Sequence, residues 1–307
     1  MSVSASQVKE LREKTNAGML DCKKALEETK GDFEAAVEWL RVKGLASAAK
    51  KAGRVAAEGA VYAQVDGNNA VVIEVNSETD FVARNEGFQA FVKDVAQQFL
   101  KTEPKGELTE VPYHKDPSRK LGDVLKDIVS KIGENIVIRR AEKYTASANT
   151  MVHTYVHGEG KIGVLIEAQS ANGAQNKPEF KTLVQDIALH IAAMNPMAIS
   201  SEQIPAEVVS KEKEILKAKN LEQGKKAEMI DKIVEGQIRK FLAENCLMDQ
   251  QFVKNPDLRI SEHVKNTAKT TGGDITIKRF KRFELGEGIE KKSTDFAAEV
   301  AEQMKGH

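Results

Sequence analysis

The chain contains one pattern twice. The segments FQAFVKDVAQQF, starting at Phe88, and FKTLVQDIALHI, starting at Phe180, match at phenylalanine, valine, aspartate and alanine with a constant offset of 92 residues. Each segment follows a pair of apolar runs joined by turn residues. The first pair is 61–65 and 70–75 around Asp66-Gly67-Asn68-Asn69, and the second is 151–156 and 162–167 around His157-Gly158-Glu159-Gly160-Lys161. Apolar runs separated by glycine and asparagine read as β-hairpins. Each half then reaches another helical stretch and a late strand, 120–132 into IVIRR and 260–269 into ITIKRF. The pattern predicts two copies of one α+β unit, each a small antiparallel sheet with helices on one face.

The remaining chain flanks or interrupts these copies. The first 45 residues predict a three-helix bundle. Ser4 caps the first helix with Gln7 as its capping-box partner, and Val8 and Leu11 are its apolar residues. Met19, Cys22, Leu26 and Thr29 are spaced for one face of the second. Gly31 ends that helix, and Asp32 caps a third with Phe33, Ala36, Val37 and Leu40 on its face. Residues 44–60, small and basic, read as a linker or a weak helix. Between Glu202 and Glu244 the apolar pairs Val208-Val209, Ile215-Leu216, Met229-Ile230, Ile233-Val234 and Phe241-Leu242 lie among alternating charges. The chain is able to reverse at 220–224, so this is an inserted antiparallel helical hairpin or short coiled coil. A last amphipathic helix is expected over 294–304, after Gly286-Glu287-Gly288. The expected organisation is therefore α+β. It comprises a bundle and linker over 1–55, core halves at 56–150 and at 151–200 with 245–285, the inserted hairpin at 201–244, and a C-terminal helical module at 286–307.

Composition narrows the function classes. Lysine plus arginine and aspartate plus glutamate each total 46, so no net field steers the chain to nucleic acid or an anionic membrane. Cys22 and Cys246 are the only cysteines, too few for a disulfide framework or a four-cysteine metal site. The N-terminal stretch lacks the apolar core of a signal peptide, and no run of about 18 apolar residues occurs, so a cytoplasmic location is expected.

Catalytic constellations are missing from the sequence. There is no HExxH, GxSxG, CxxC or Walker A pattern. His153 and His157 have a ligand-like spacing, but on a strand four residues span about 13 Å, too far for one ion. Gly158-x-Gly160-x-x-Gly163 spells a dinucleotide fingerprint. That fingerprint needs a helix opening after the glycines, and here they run from a turn into a strand. No cofactor or metal is expected.

The strand-to-helix junction Asn76-Ser77-Glu78-Thr79-Asp80-Phe81-Val82 has two readings. In one, a rigid scaffold presents an acid and an aromatic as a binding site. In the other, Asp80 caps a helix and Phe81 joins Phe88 in the core. Arg84 and Asn85, three and four residues beyond Phe81, weaken the second. Thr294-Asp295-Phe296 repeats the tripeptide, with Phe296 and Val300 spaced for ordinary packing, so the tripeptide alone is not specific. The basic residues Lys50, Lys51 and Arg54, and Lys278, Arg279, Lys281 and Arg282, read as solvated surface, since acids are interspersed and no aromatics interleave.

Taken together, LREKTNAGMLDCKKALEETKGDFEAAVEWLR, AAEG, VNSETDFVARNEGF, KIGENIVIRR, HGEGKIGVLIE, DIALHIAAMNP and RFELGEGIEKKSTDFAAEVA closely resemble the bacterial elongation factor Ts family, in the family's order. The resemblance implies a factor that exchanges guanine nucleotide on elongation factor Tu, without covalent catalysis. It implies that Thr79, Asp80, Phe81 and Val82 wedge into the GTPase beside its Mg²⁺ and phosphate site, with Phe81 the apolar wedge. It assigns further partner contacts to Ile132, Gly133, Glu134 and Asn135, to His157 and Gly158, and to Arg12 and Met19. Leu20 stands where some members have methionine, a volume-conserving change. The turn after His157 is one residue longer than in some members. The inserted hairpin is linked to dimerisation, which would give a 2:2 complex. Two other classes compete: a nucleotide-binding enzyme using Gly158–Gly163, and an RNA-binding, ribosome-associated translation protein using the basic clusters.

Overall fold

The computed structural model describes residues 3–15 and 17–290, apart from the side chains of Leu45 and Ser47. The expected C-terminal helix at 294–304 lies outside the described residues. The described residues divide into two compact units, one of residues 3–15, 17–62, 73–141 and 284–290, the other of residues 63–72 and 142–283.

The first unit opens with α1 (Ala5–Thr15), α2 (Met19–Glu28) and α3 (Phe33–Lys51). Asp32 caps α3 through a 2.9 Å bond from the Ala35 amide. Val8, Leu11, Cys22, Ala25, Leu26 and Ala36 form the bundle core, with Phe33, Val37, Trp39 and Leu40 packed on it. Met19 departs from expectation. It is the first residue of α2, has no preceding turn to lie against, and is 55% exposed. Residues 44–51, read as linker or weak helix, complete α3. Gly44 brings α3 against α6 (Leu121–Ile132), where a Cβ would lie 2.8 Å from the Ser130 hydroxyl.

After the bundle, β1 (Glu58–Asp66) and β2 (Asn69–Ser77) form the first hairpin, followed by the single-turn α4 (Asp80–Ala83) and by α5 (Glu86–Lys101). The Asn85 side chain caps α5 by accepting from the Gly87 and Phe88 amides at 2.9 and 3.2 Å. Phe88, Phe91, Val92, Val95 and Phe99 make its buried stripe. A two-residue turn joins β3 (Pro112–Tyr113) to β4 (Asp116–Lys120), then come α6 and β5 (Val137–Thr145). The sheet order is β1-β2-β5.

The second unit repeats this order. β6 (Thr150–His157) and β7 (Ile162–Ser170) form the hairpin, and α7 (Pro178–Met194) follows with proline in its first turn. Its stripe of Phe180, Leu183, Val184, Ile187 and Ile191 falls 92 residues after that of α5. The small hairpin β8 (Gln251–Phe252) with β9 (Asn255–Arg259), then α10 (Ile260–Thr271) and β10 (Ile275–Glu284), complete the copy, with sheet order β10-β7-β6. Val164, Ile166 and Ala168 of β7 pack against α7, α10 and β10 in one core. At about 2 kcal/mol for each large side chain fully buried, such a core is the main stabilising contribution of the unit.

Between α7 and β8 the chain departs into α8 (Ala206–Glu222) and α9 (Ala227–Asn245), which fold back on each other. One member of each apolar pair faces the seam: Val209, Leu216, Ile230, Val234 and Leu242, joined by Ile238. Ile215 and Met229 face outward, 52% and 57% exposed. The departure and return are stitched together. Ala198 and Cys246 form a parallel bridge, Met197 N–H donates to Asn245 O at 2.8 Å, and Leu247 N–H donates to Ala198 O at 2.8 Å.

Candidate partner-binding site

The strand β2 ends at Ser77, and the chain turns at once into α4. Thr79, not Asp80, caps that turn, accepting from the Val82 amide at 3.4 Å. Asp80 is the first helical residue, and its carboxylate lies exposed at the helix N-terminus. With four residues, α4 has no face long enough to reach the core. Phe81 is 83% exposed while Phe88, seven residues on, is completely buried. Val82 is half-buried beside it.

A network from elsewhere in the same unit holds this junction. Glu134 follows the left-handed cap Gly133 of α6. Its carboxylate accepts from the Glu78 and Thr79 amides at 3.1 and 3.0 Å and from the Thr79 hydroxyl at 2.7 Å. Glu78 in turn accepts from the Asn135 amide at 2.6 Å and from Arg54 at 3.4 Å. Buried Asn135 donates its side-chain amide to the Arg54 carbonyl at 2.7 Å. The structure therefore brings together Thr79, Asp80, Phe81 and Val82 with Glu134 and Asn135, and half-buried Ile132 lies just before Gly133. The bonds from Glu134 join residues more than fifty positions apart, and no local pattern in the sequence announces them.

Arg54, read as solvated surface, is engaged here, and Arg279 likewise binds Glu167 at 2.6 Å. Three residues before the end of β2, Glu74 is fully buried. Burial alone would push its carboxyl up, but the Gly286 amide, Arg139, Asn76 and Arg140 outweigh burial and hold it below the usual carboxylate range. The Gly286 amide donates to it at 2.8 Å. That approach requires glycine, since a Cβ at 286 would lie 2.5 Å from the Ala57 carbonyl.

The other named residues lie apart from this junction in the chain. Arg12 is exposed on α1, and Leu20, 83% exposed, follows Met19 on α2. His157 and Gly158 belong to the second unit, at the β6–β7 turn. There the Lys161 amide closes back on the carbonyls of His157 and Gly158 at 3.1 and 3.2 Å, and the Tyr155 hydroxyl lies 3.1 Å from His157 Nδ1. The glycines 158 and 160 occupy left-handed turn positions and lead into β7, with no helix after them. The dinucleotide geometry is not formed. Among the described residues, no three of histidine, cysteine, aspartate and glutamate converge as a metal-ligand group.

Phe81 is thus an exposed aromatic held on a braced turn. Sequence comparison gives the kind of protein. The family model described as elongation factor TS matches residues 78–287, a span that begins at Glu78 of this junction. The chain belongs to the elongation factor Ts family. It is similar to elongation factor Ts of Bdellovibrio bacteriovorus, 68% identical with all of both chains covered. It is also similar to elongation factors Ts of Trichlorobacter lovleyi and Symbiobacterium thermophilum, each 48% identical over 98% of this chain and 98% of the relative. Membership places the chain among the elongation factors of protein biosynthesis, and among its described residues no helix is long and apolar enough to cross a membrane.

Proposed function

We infer that this chain binds elongation factor Tu with GDP bound and speeds GDP release during translation elongation, in the cytoplasm and with no cofactor of its own. The observation that carries this reading is Phe81, 83% exposed on a turn braced by Glu134. Burying one phenylalanine in a partner is worth about 2–3 kcal/mol. If the receiving pocket is open only in the nucleotide-free GTPase, that energy is differential, and by linkage the factor's binding lowers GDP affinity to the same extent. Asp80, exposed beside Phe81, disturbs the groups of the GTPase that hold Mg²⁺, whose loss removes the main charge neutralising the phosphates. No bond to carbon or phosphorus changes, so no base or nucleophile is needed. The factor accelerates equilibration without selecting GTP over GDP.

The other contacts are assigned by family resemblance. Ile132–Asn135 flank the wedge, Arg12, Met19 and Leu20 present an exposed patch on the bundle, and His157-Gly158 present a turn in the second unit. The α8–α9 hairpin forms a short coiled coil, and its outward Ile215 and Met229 would support the dimer contact of a 2:2 complex.

The deciding measurement is release of fluorescent GDP from purified elongation factor Tu. Wild-type chain accelerates release, and Phe81→Ala lowers that acceleration by about 10- to 100-fold. No acceleration by wild type refutes the exchange reading. Full activity in the variant refutes only the wedge.

A further inference from the structure

The geometry points to Glu134 as a positioning residue, acting on the partner through Thr79 and Phe81 while its own carboxylate faces inward. This rests on the exchange reading above and deepens it. Both carboxylate oxygens are engaged inside the fold: Oε2 by the Glu78 and Thr79 amides at 3.1 and 3.0 Å, Oε1 by the Thr79 hydroxyl at 2.7 Å. The same hydroxyl oxygen accepts from the Val82 amide at 3.4 Å, so one side chain ties the end of β2 to the first turn of α4. An isolated helix of four residues is not stable in water. The direction in which α4 presents Phe81 is therefore imposed from outside, and Glu134 supplies that constraint together with the Glu78–Asn135–Arg54 bonds.

The second half of the molecule is an internal control. Gly133 and Gly272 are equivalent left-handed caps of α6 and α10. The next residue is Glu134 in the first half and Gly273 in the second. A Cβ at 273 would lie 2.4 Å from the Ala171 carbonyl. There the junction closes backbone to backbone, the Ala171 amide donating to Asp274 O at 2.9 Å. Four residues beyond Ser77 stands exposed Phe81; four beyond Ser170, the matching strand end, stands Ala174, fully buried. One module thus has two junctions. The one with a carboxylate spacer presents an aromatic, and the one without it is sealed.

The test is a mutant cycle in the GDP-release assay with elongation factor Tu, together with amide hydrogen exchange on the free chain. Glu134→Ala should lower the acceleration on the order of tenfold. Glu134→Gln, whose amide oxygen still accepts from both backbone amides, should stay within about twofold of wild type. The Phe81→Ala/Glu134→Ala double variant should be no slower than Phe81→Ala alone, because residues acting as one unit are non-additive. In the free chain, Glu134→Ala should speed exchange of the Glu78 and Thr79 amides and leave those of β7 unchanged. Should Glu134→Ala fail to fold, Thr79→Val replaces it in the cycle; it removes the hydroxyl that donates to Glu134 and caps α4, keeps the two backbone-amide bonds, and should lower the acceleration by about two- to fivefold. Additive losses, a Glu134→Gln variant as slow as Glu134→Ala, or full activity in Glu134→Ala would each overturn the positioning role. If wild type gives no acceleration, the exchange reading falls. The amide exchange then decides the brace alone, lost protection supporting it and unchanged protection overturning it.

Discussion

At the scale of single residues, the two halves solve the same problem with different side chains. In the first, buried Gln98 of α5 accepts from the His114 amide at 2.7 Å and donates to Pro112 O at 3.1 Å, fastening the β3–β4 hairpin. In the second, buried His190 of α7 stands 92 residues later, its Nδ1 accepting from the Val253 amide at 3.2 Å and its Nε2 3.0 Å from Gln250 Oε1. An accepting Nδ1 requires the neutral ring with the proton on Nε2, and burial holds the pKa of His190 below its usual value. The native state then binds fewer protons than the unfolded chain, whose histidine titrates near 6.5. The His190 contribution is complete above about pH 6.5 and is lost as pH falls toward the lowered native value. His190→Gln, the residue used by the other half, should reduce the loss of stability between pH 7 and 5.5, read by denaturant unfolding; an unchanged pH slope would count against it. Buried Glu74 supports a second expectation. Arg140, whose Nε lies 2.5 Å from it, is one of two arginines on this carboxylate, and Arg139 and the Gly286 amide remain when it is replaced, so Arg140→Met should cost about 1–2 kcal/mol in the same assay.

At the scale of elements, legibility tracked apolar period. The long helices and both main hairpins stand out in the sequence because their buried stripes repeat every three to four residues or alternate. The hairpins β3–β4 and β8–β9 do not stand out in the sequence because their second strands, DPSRK and NPDLR, are polar and carry proline. A faint signal was present, since Asp116-Pro117 and Asn255-Pro256 precede equivalent helices at an offset of 139. Met19 has core spacing but is exposed, because spacing alone does not show that a helix begins there. Phe81 was legible through Arg84 and Asn85: Arg84 ends α4 and Asn85 caps α5, which is why the helix is too short to bury it. The brace by Glu134 was not legible, because it depends on tertiary proximity. The α8–α9 insertion supports a prediction of its own. Its ends already meet at the Ala198–Cys246 bridge, so replacing residues 201–244 by a short glycine-serine linker should leave the second unit folded. Far-ultraviolet circular dichroism and a cooperative melt check this; loss of the cooperative transition would show the hairpin to be part of the core.

At the scale of the whole molecule, the repeat extends to buried charge. Glu74 of β2 meets Arg140 of β5 at 2.5 Å, and Glu167 of β7 meets Arg279 of β10 at 2.6 Å. Each central strand thus carries one glutamate paired with an arginine on the neighbouring late strand. Other charges pair locally on the surface, such as Lys217 with Asp231 at 2.7 Å across the α8–α9 hairpin. A chain without net charge is not steered over long range. Its association rate with elongation factor Tu should therefore change less than about threefold between 50 and 500 mM salt, by stopped-flow. A fall of orders of magnitude would reveal a localised charged interface.

The unequal junctions of the two halves bear on how such a protein evolves. A single-copy module that loosened a strand end to display an aromatic would put its own folding at risk. In a doubled module the two duties need not fall on the same turn: here one junction is closed backbone to backbone and the other carries an exposed aromatic.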